Sequence, residues 1–248
     1  MHVSHLDFAK CWLDTALTFF YPDLCQICSS ECATAREGYV CGQCYQNLRF
    51  IKPPFCERCG LPFEGEMTAQ FECSNCREMD LHFLSARAAV AASGIALDVI
   101  HRYKYQRALW FEPFLFDLLR RRAEPVLRDG RWDLIVPVPL FPLKKREREF
   151  NQAEHLAAGL GAAIGIPVNT RLLERVQHTR TQTLLTRSQR ADNVRNAFCV
   201  RAKSFLQGQR IVLVDDVLTT GATTSACAKA LKAAGAGDVS VWTVARGI

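Results

Sequence analysis

One segment near the C-terminus, residues 211–223, constrains the fold more than any other part of the sequence. It opens with four consecutive apolar residues, 211–214, and continues with two adjacent acids, Asp215 and Asp216. An apolar run of this kind predicts a strand that is buried on both faces, as in a parallel sheet. We therefore expect an α/β domain in which the two acids follow directly after a buried strand.

The residues that follow the acids predict a ligand site. A loop of threonine and glycine comes first, and residues 225–234 then predict a helix that stops at Gly235. Gly221 permits a tight turn and a close approach of a ligand to the backbone. The carboxylates can accept hydrogen bonds from vicinal sugar hydroxyls, and the N-terminus of the helix favours a phosphate. Because open α/β sheets bind ligands at the carboxyl ends of their strands, we expect a phosphorylated sugar to bind there.

Two other interpretations of this segment stay open. It fits a generic buried strand with a polar end, and it fits the magnesium-binding strand of a nucleoside triphosphatase. The second requires a GxxxxGKS or GxxxxGKT loop elsewhere in the chain, and the sequence contains none. The glycine-rich stretch 159–165 lacks the lysine and falls late in a predicted helix.

Cysteine spacing is the second informative feature. Eight of the 12 cysteines form four Cys-x-x-Cys pairs, and the unit that begins at Cys25 begins again at Cys56. Each half fits a structural zinc ribbon with four thiolate ligands and no open position for catalysis. The pairs can combine sequentially or interleaved, and the spacing permits both. The expected zinc ligands are Cys25, Cys28, Cys41, Cys44, Cys56, Cys59, Cys73 and Cys76.

Disulfide bonds are the alternative use of these cysteines. They require an oxidising compartment, but the charges of Asp7, Lys10 and Asp14 interrupt what would be the core of a signal peptide. No apolar run reaches about 18 residues, so no membrane span is predicted. We therefore expect a cytoplasmic protein that binds zinc. Four cysteines remain outside the pairs, of which Cys32 is a weak competitor for a zinc site: Cys11, Cys32, Cys199 and Cys227.

The chain is expected to divide into three parts. Residues 1–20 predict a leading helix, residues 21–80 the double zinc ribbon, and residues 81–248 a domain of alternating strands and helices. The predicted strands are 85–93, 134–136, 166–168, 211–214 and 239–244. The predicted helices are 95–121, with a new start at Pro113, and then 153–164 and 225–234.

Charge is distributed unevenly along the chain. The net charge is +6, yet residues 21–80 contain five basic and nine acidic side chains. Residues 171–210 contain nine basic and two acidic side chains. A path for a polyanion is therefore expected on the α/β domain rather than on the ribbon, and the alternative is that these arginines are scattered over the surface.

The 211–223 segment resembles the 5-phosphoribosyl-1-pyrophosphate (PRPP) binding motif of type I phosphoribosyltransferases. In that family the two acids hold the ribose 2′ and 3′ hydroxyls, and the loop holds the 5′-phosphate. The resemblance implies a doubly wound parallel sheet of the type I phosphoribosyltransferase kind, with Mg²⁺ accompanying the ligand. The implied PRPP-binding residues are Asp215, Asp216, Thr219, Thr220, Gly221, Ala222 and Thr223.

Over nearly its whole length the chain resembles the ComF/GntX family, in which a leading helix and a double zinc ribbon precede a phosphoribosyltransferase domain. The family's Val-Pro-Val-Pro strand is matched at 136–139, and its Arg-Gly-Phe-Asn-Gln motif at 148–152. Glu149 replaces the glycine of this motif, which adds a side chain and a negative charge beside the expected anion site. The implied residues on the pyrophosphate side are Val138, Arg148, Asn151 and Gln152.

Further positions match the same family. A Lys-Tyr pair in the preceding helix is matched by Lys104 and Tyr105. A pattern downstream is matched by Arg175, Thr179, Gln182, Arg190, Asn193, Ala197 and Phe198.

The resemblance implies a protein that binds PRPP-type ligands and single-stranded DNA and aids DNA uptake or use in natural transformation. A DNA-uptake helicase or DNA-processing proteins are the implied partners. One alternative is an active phosphoribosyltransferase, although Thr219 stands where several such enzymes carry an acidic residue; another is a PRPP-sensing adaptor that docks through the acidic ribbon. Candidates for base stacking are Tyr103, Tyr105 and Trp110, with core packing the favoured role for Trp110. Candidates for DNA phosphate contacts are Arg175, Arg180, Arg187, Arg190 and Arg195.

Overall fold

The structure, a computed structural model, describes residues 23–63, 65, 73–177, 196–201 and 206–248. The leading helix expected over residues 1–20 lies outside these ranges. Within them, no helix combines the length and the apolar character that crossing a membrane requires.

A parallel sheet of four strands forms the centre of the structure, and a separate ladder of two antiparallel strands lies beside it. The described strands are, in chain order, β1 (Ser85–Ala91), β2 (Leu134–Pro137), β3 (Leu173–Arg175), β4 (Phe198–Val200), β5 (Ile211–Leu218) and β6 (Val239–Arg246). The sheet has the spatial order β1–β6–β5–β2, and β3 pairs with β4.

Helices cover both faces of this sheet, which confirms the predicted α/β architecture. The described α-helices are, in chain order, α1 (Gly42–Gln46), α2 (Ser74–Glu78), α3 (Gly94–Tyr105), α4 (Glu112–Asp129), α5 (Pro142–Arg148), α6 (Gln152–Ile164) and α7 (Ala222–Ala233). Helices α4 and α6 pack against each other and against the sheet, and α7 packs against β4, β5 and β6.

Alternate side chains of β5 pack on opposite faces of the sheet. Val212 and Val214 join a core that contains residues of α3, α4 and α6. Ile211 and Leu213 join a second core that contains residues of α7. All four side chains are fully buried, and each such side chain stabilises the fold by about 1.5–3 kcal/mol. This is the burial on both faces that the apolar run predicts.

The two halves of the ribbon also pack on opposite faces. Cys25, Cys41 and Cys44 belong to the core that contains α3 and α4. The four cysteines of the second half belong to the core that contains α7. The ribbon therefore shares both of its cores with the α/β domain.

Several elements differ from the sequence prediction. β5 continues through the two acids to Leu218, because β6 continues to pair with it as far as Arg246. The strand predicted at 166–168 is reduced to a single bridge between Val168 and Ile135. The division of the helical stretch 95–121 into α3 and α4 agrees with the predicted new start at Pro113, whereas α7 begins before the predicted residue 225.

Helix α5 ends in an unusual backbone conformation. Its C-cap, Glu149, has a φ of 68°, in the left-handed region that glycine adopts more easily than other residues. The family motif therefore carries glycine at a position whose backbone favours glycine. The carboxylate of Glu149 lies 3.2 Å from the guanidinium of Arg107, and both side chains are exposed. The negative charge expected beside the anion site is thus paired with Arg107.

We expect Glu149→Gly to stabilise the protein by about 1 kcal/mol, because glycine relieves the left-handed strain and the lost ion pair is exposed. The free energy of unfolding in urea measures this effect. Gly165→Ala is the matched control, since Gly165 caps α6 with a φ of 76° and has open space where a Cβ would lie. That variant should lose about 1 kcal/mol. A Glu149→Gly variant less stable than the parent would contradict the assignment of strain.

Candidate functional site

The eight paired cysteines form two quartets, and the pairing is sequential. Within each quartet all four Sγ atoms lie within 4.8 Å of one another. This arrangement excludes the interleaved alternative. The first quartet is Cys25, Cys28, Cys41 and Cys44, and the second quartet is Cys56, Cys59, Cys73 and Cys76.

The sulfur spacing in both quartets fits a zinc ion. Four thiolates at about 2.3 Å from a tetrahedral zinc lie about 3.8 Å from one another. In the first quartet the Sγ atoms of Cys25 and Cys44 are 3.8 Å apart. Two corresponding spacings in the second quartet are 3.7 and 3.3 Å. Each quartet thus supplies a complete tetrahedral set for a structural Zn²⁺.

Backbone amides of the ribbon favour the ionised thiols that bind a metal. The N–H of Cys41 donates to the Sγ of Cys25 at 3.3 Å. Burial opposes ionisation of Cys25, but the N–H groups of Cys28 and Cys41 lower the pKa of its thiol to about 6. Burial likewise opposes ionisation of Cys56, and backbone N–H groups lower its pKa to about 7. Cys32 is exposed and belongs to neither quartet, so it does not compete for these sites.

A cavity of about 300 Å³ opens at the carboxyl edge of the sheet. Its wall combines residues of α3, the chain after β2, β3, the end of β5 and the turn into α7. Asp215 and Asp216 line it together, as the sequence predicts for neighbouring acids. Four cations from distant parts of the chain share this lining: Lys104, Lys144, Arg148 and Arg175.

The two acids lie where β5 loses one of its two neighbours. β2 ends at Pro137, which pairs with Val214, whereas β6 continues beside β5 as far as Leu218. Asp215 and Asp216 are therefore strand residues and do not follow the strand, which corrects the sequence prediction. The N–H of Asp216 donates to Oδ1 of Asp215 at 2.9 Å.

Lys104 holds one of the acids. Its Nζ contacts Oδ2 of Asp216, and Nε2 of Gln152 donates to the same oxygen at 3.4 Å. Burial lowers the pKa of Lys104 to about 8, although the carboxylate of Asp215 opposes the shift. Burial also raises the pKa of Asp215 to about 6, although Lys104 and Arg175 favour its ionised form. At a pH between these two pKa values, the carboxylate of Asp215 and the ammonium group of Lys104 are both charged.

The threonine loop leads directly into α7. Gly221 is the N-cap of that helix and has a φ of 89°. Thr219, Gly221, Ala222 and Thr223 line the cavity. Thr220 is buried beside the lining, and its Oγ1 accepts a hydrogen bond from the N–H of Ala222 at 3.3 Å. The N–H groups at the start of a helix attract anions, so this turn suits a phosphate.

Three of the four residues expected on the pyrophosphate side line the same cavity: Val138, Arg148 and Gln152. The guanidinium of Arg148 lies 4.9 Å from the centre of the Tyr105 ring. Asn151 is buried outside the lining, where it caps α6 and donates from Nδ2 to the carbonyl of Val138 at 3.1 Å. Asn151 therefore supports the cavity wall.

The DNA-binding candidates fall into two groups. Arg175 lines the cavity, and burial lowers its pKa although Cys227 and Asp215 oppose the shift. Its guanidinium lies 5.3 Å from the centre of the Phe198 ring. Arg175 is thus placed beside the acids, in the wall of the cavity. The other candidates, Arg180, Arg187, Arg190 and Arg195, lie outside the described residues.

Two of the three candidates for base stacking are accessible. Tyr103 is fully buried, and its hydroxyl donates to Oε2 of Glu112 at 3.0 Å. Tyr105 is 56% exposed at the rim of the cavity, and Trp110 is 44% exposed between α3 and α4. The core role expected for Trp110 therefore belongs to Tyr103.

Two basic residues of this region, Lys104 and Arg246, have no role in the site that the sequence alone predicts. Lys104 matched a family position, but a lysine near the end of a helix carries no local sign that it reaches a carboxylate. Arg246 is 2% exposed and donates to the carbonyl of Thr219. A charged residue at the end of an apolar strand was the one signal available for Arg246.

We expect two zinc ions per chain, because each quartet supplies four thiolates. Native mass spectrometry with an independent metal analysis measures the stoichiometry. Cys76→Ser should retain one ion. Cys32→Ser, which alters an exposed cysteine outside both quartets, should retain two. A single zinc in the unaltered protein, or loss of zinc from Cys32→Ser, would contradict the sequential assignment.

Comparisons with known proteins give the following similarities. Residues 16–79 match the family model of the double zinc ribbon domain. The chain is 29% identical over 230 residues to "DNA utilization protein YhgH" of Escherichia coli strain K12, which covers 91% of this chain and 97% of that protein. A crystal structure of adenine phosphoribosyltransferase from Thermoanaerobacter pseudethanolicus overlaps 56% of this chain and 68% of that chain, with 21% identity and a TM-score of 0.34.

A further relative defines the family. The chain is 30% identical over 240 residues to "Competence protein F" of Haemophilus influenzae, and the alignment covers 92% of this chain and 98% of that protein. The likeness extends through the ribbon and the α/β domain alike. This chain therefore belongs to the ComF/GntX family.

Proposed function

We propose that this protein binds a PRPP-type ligand with Mg²⁺ in the cavity, binds single-stranded DNA, and acts in the cytoplasm in the uptake or use of DNA. The main observation in support of the proposed ligand is that one cavity brings together two acids, a helix-starting turn and a lysine: Asp215, Asp216, residues 219–223 and Lys104. The DNA role is supported by the names of the relatives, "Competence protein F" and "DNA utilization protein".

The acids and the turn suit the two ends of a ribose 5-phosphate. Neighbouring ribose hydroxyls are donors, and ionised carboxylates are strong acceptors. Asp215 is ionised above a pH of about 6, so it can accept such bonds at neutral pH. The 5′-phosphate would lie at the start of α7, where helix N–H groups favour an anion.

The cations suit the pyrophosphate. Lys104, Lys144 and Arg148 share the cavity with the acids, and their charges would offset those of the pyrophosphate oxygens. Mg²⁺ binds phosphate and carboxylate oxygens, so it would accompany the ligand. Lys104 contacts Asp216 in the free protein. In the complex we expect this ammonium group to turn toward the pyrophosphate and release Asp216 to the ribose.

We expect Asp215→Asn to weaken PRPP binding at least tenfold and also to stabilise the free protein. The pKa of Asp215 is raised from 3.8 to about 6, so its ionised form destabilises the fold above a pH of about 6 by about 1–3 kcal/mol. Asparagine removes that cost while keeping the oxygen that accepts from the N–H of Asp216. Calorimetry with PRPP and Mg²⁺, together with urea unfolding at pH 7.5, measures both effects.

The pH dependence and a matched variant control this experiment. Because the folded-state pKa of Asp215 is raised, the gain in stability should shrink as the pH falls from 6 toward 4. Asp129→Asn changes an exposed acid at the end of α4 and should alter neither quantity. If Asp215→Asn binds PRPP with wild-type affinity, the Asp215 carboxylate does not contribute to the proposed site. If the unaltered protein does not bind PRPP, the proposed ligand is wrong.

The DNA proposal rests on charge as well as on the relatives. Residues 171–210 carry nine basic and two acidic side chains. Arg175 lies in the cavity wall. We therefore assign the contacts to DNA phosphates to the other four arginines, Arg180, Arg187, Arg190 and Arg195. Tyr105 and Trp110 are exposed aromatic residues on which bases can stack. Tyr105 lines the cavity at the end of α3, and Trp110 follows in the short turn between α3 and α4.

We expect the triple variant Arg180→Gln, Arg187→Gln, Arg195→Gln to bind single-stranded DNA with a flatter salt dependence. Each lost phosphate contact on a single strand reduces the slope of log K against log salt by about 0.7, so three contacts give about 2. Fluorescence anisotropy with a labelled oligonucleotide measures the slope.

A second triple variant controls for net charge. Arg120, Arg121 and Arg128 lie on α4 in ion pairs with Asp117 and Glu124. Their replacement by glutamine removes the same charge from another part of the chain and should leave the slope unchanged. If the slope of log K against log salt is equal in the unaltered protein and the first variant, residues 171–210 do not provide the phosphate contacts to DNA.

Turnover separates binding from transferase activity. Thr219 stands at the first position of the loop, where several transferases carry an acid. We therefore expect PRPP to bind without release of pyrophosphate when nucleobases are added. Pyrophosphate release with any base would instead make the protein an active phosphoribosyltransferase.

A further inference from the structure

The buried arginine at the end of β6 joins the second quartet to the threonine loop. Arg246 is 2% exposed. Its Nε donates to the carbonyl of Cys59 at 3.1 Å, and its Nη2 lies 3.8 Å from the Sγ of that cysteine. Its Nη1 donates to the carbonyls of Thr219 and, at 3.3 Å, of Leu218. One guanidinium thus contacts a zinc ligand and the first part of the loop.

An asparagine makes a second, independent connection. Asn75 lies between Cys73 and Cys76 in α2 and is 2% exposed. Its Nδ2 donates to the carbonyl of Thr220 at 3.2 Å. The loop also lies against the chain that follows the ribbon, since a Cβ on Gly221 would be 3.2 Å from the side chain of Leu81.

Peptide geometry gives these contacts a consequence for the cavity. In a trans peptide the carbonyl of one residue and the N–H of the next point in opposite directions. Holding the carbonyls of Thr219 and Thr220 toward the ribbon therefore turns the N–H groups of Thr220 and Gly221 away from it. Thr219 and Gly221 line the cavity, so these N–H groups are set on the side where a phosphate would lie.

The first quartet has a different environment. Its half of the ribbon contacts α3 and α4: Nη1 of Arg102 donates to the carbonyl of Gln26 at 2.6 Å, and Gly38 lies against Phe114. The ring of Tyr45 lies 6.2 Å from that of Phe114. The described contacts of this half stabilise the face of the sheet that α3 and α4 cover, and they do not involve the loop.

We infer that the second quartet, through Arg246 and Asn75, fixes the loop in the conformation that receives the ligand's 5′-phosphate, so that Arg246 is a positioning residue for binding. The inference rests on the proposed function for its ligand. The loop conformation itself is independent of that ligand. Zinc at the second quartet thereby contributes to the affinity for a phosphorylated sugar, whereas zinc at the first quartet contributes to the stability of the domain.

The test compares Arg246→Met with Arg102→Met, because each arginine joins one half of the ribbon to the α/β domain. Calorimetry with PRPP and Mg²⁺ should show a loss of affinity of about tenfold or more in Arg246→Met and less than a twofold change in Arg102→Met. Hydrogen exchange of the Ala222 and Ser225 amides, which donate to Oγ1 of Thr220 and to the carbonyl of Gly221 in the loop, should accelerate in Arg246→Met while the amides of β1 keep their rates. Both variants should retain two zinc ions.

The possible results separate this inference from the proposed function. If the unaltered protein does not bind PRPP, the proposed function fails, and faster exchange of the loop in Arg246→Met still supports the positioning role. Equal affinity and equal loop exchange in both variants would overturn the inference. Should Arg246→Met not fold, Asn75→Ala replaces it, since it removes one bond to the loop and should weaken PRPP binding about threefold to tenfold. Unchanged affinity and exchange in Asn75→Ala would equally overturn it.

Discussion

β5 loses its neighbour β2 after Val214 but keeps its neighbour β6 as far as Leu218, and the remaining features of the site depend on this difference. The continued pairing holds Asp215 and Asp216 in a rigid strand, while the end of β2 leaves space beside them. The chain that follows β2 contributes Val138, whose N–H still donates to the carbonyl of Val214 at 2.9 Å, and α6 contributes Gln152. A cavity at the end of a parallel sheet thus results from strands of unequal length.

The charges in this cavity oppose the stability of the fold. Burial raises the pKa of Asp215 and lowers that of Lys104, so each charged form is disfavoured by its surroundings. The mutual attraction of the acids and the cations offsets part of this cost. Groups with pKa values displaced in opposite directions within one cavity are typical of a binding or catalytic site. Three cations, Lys104, Arg175 and Arg148, favour the ionised form of Asp215, which is more than a single ion pair supplies.

The ribbon is part of the domain rather than an appendage. Its halves enter different cores on the two faces of the sheet, and a small cysteine-rich segment gains folding free energy from zinc. The second half lies behind the threonine loop. Asn75 of this half and Arg246 of β6 donate hydrogen bonds to carbonyls of the loop. Residues of the acidic ribbon and of the basic α/β domain therefore both contact the threonine loop, and the net positive charge remains with the part of the chain proposed to bind DNA.

The amino-acid sequence alone predicts the buried strand, the acid pair, the turn into a helix and the cysteine pairs, because periodicity and short spacings encode these features locally. It did not determine which cysteine pairs share an ion, or that Asn151 supports the cavity wall while Lys104 reaches Asp216. The sequence also predicted that the negative charge of Glu149 lies beside the anion site. In the structure Glu149 has a left-handed backbone, and its carboxylate forms an ion pair with Arg107. These points depend on the tertiary structure, since contacts between residues far apart in the chain depend on how the strands and helices pack. Arg246 illustrates the limit most clearly: its role depends on β6 ending beside both Cys59 and Thr219, and no local pattern encodes that meeting.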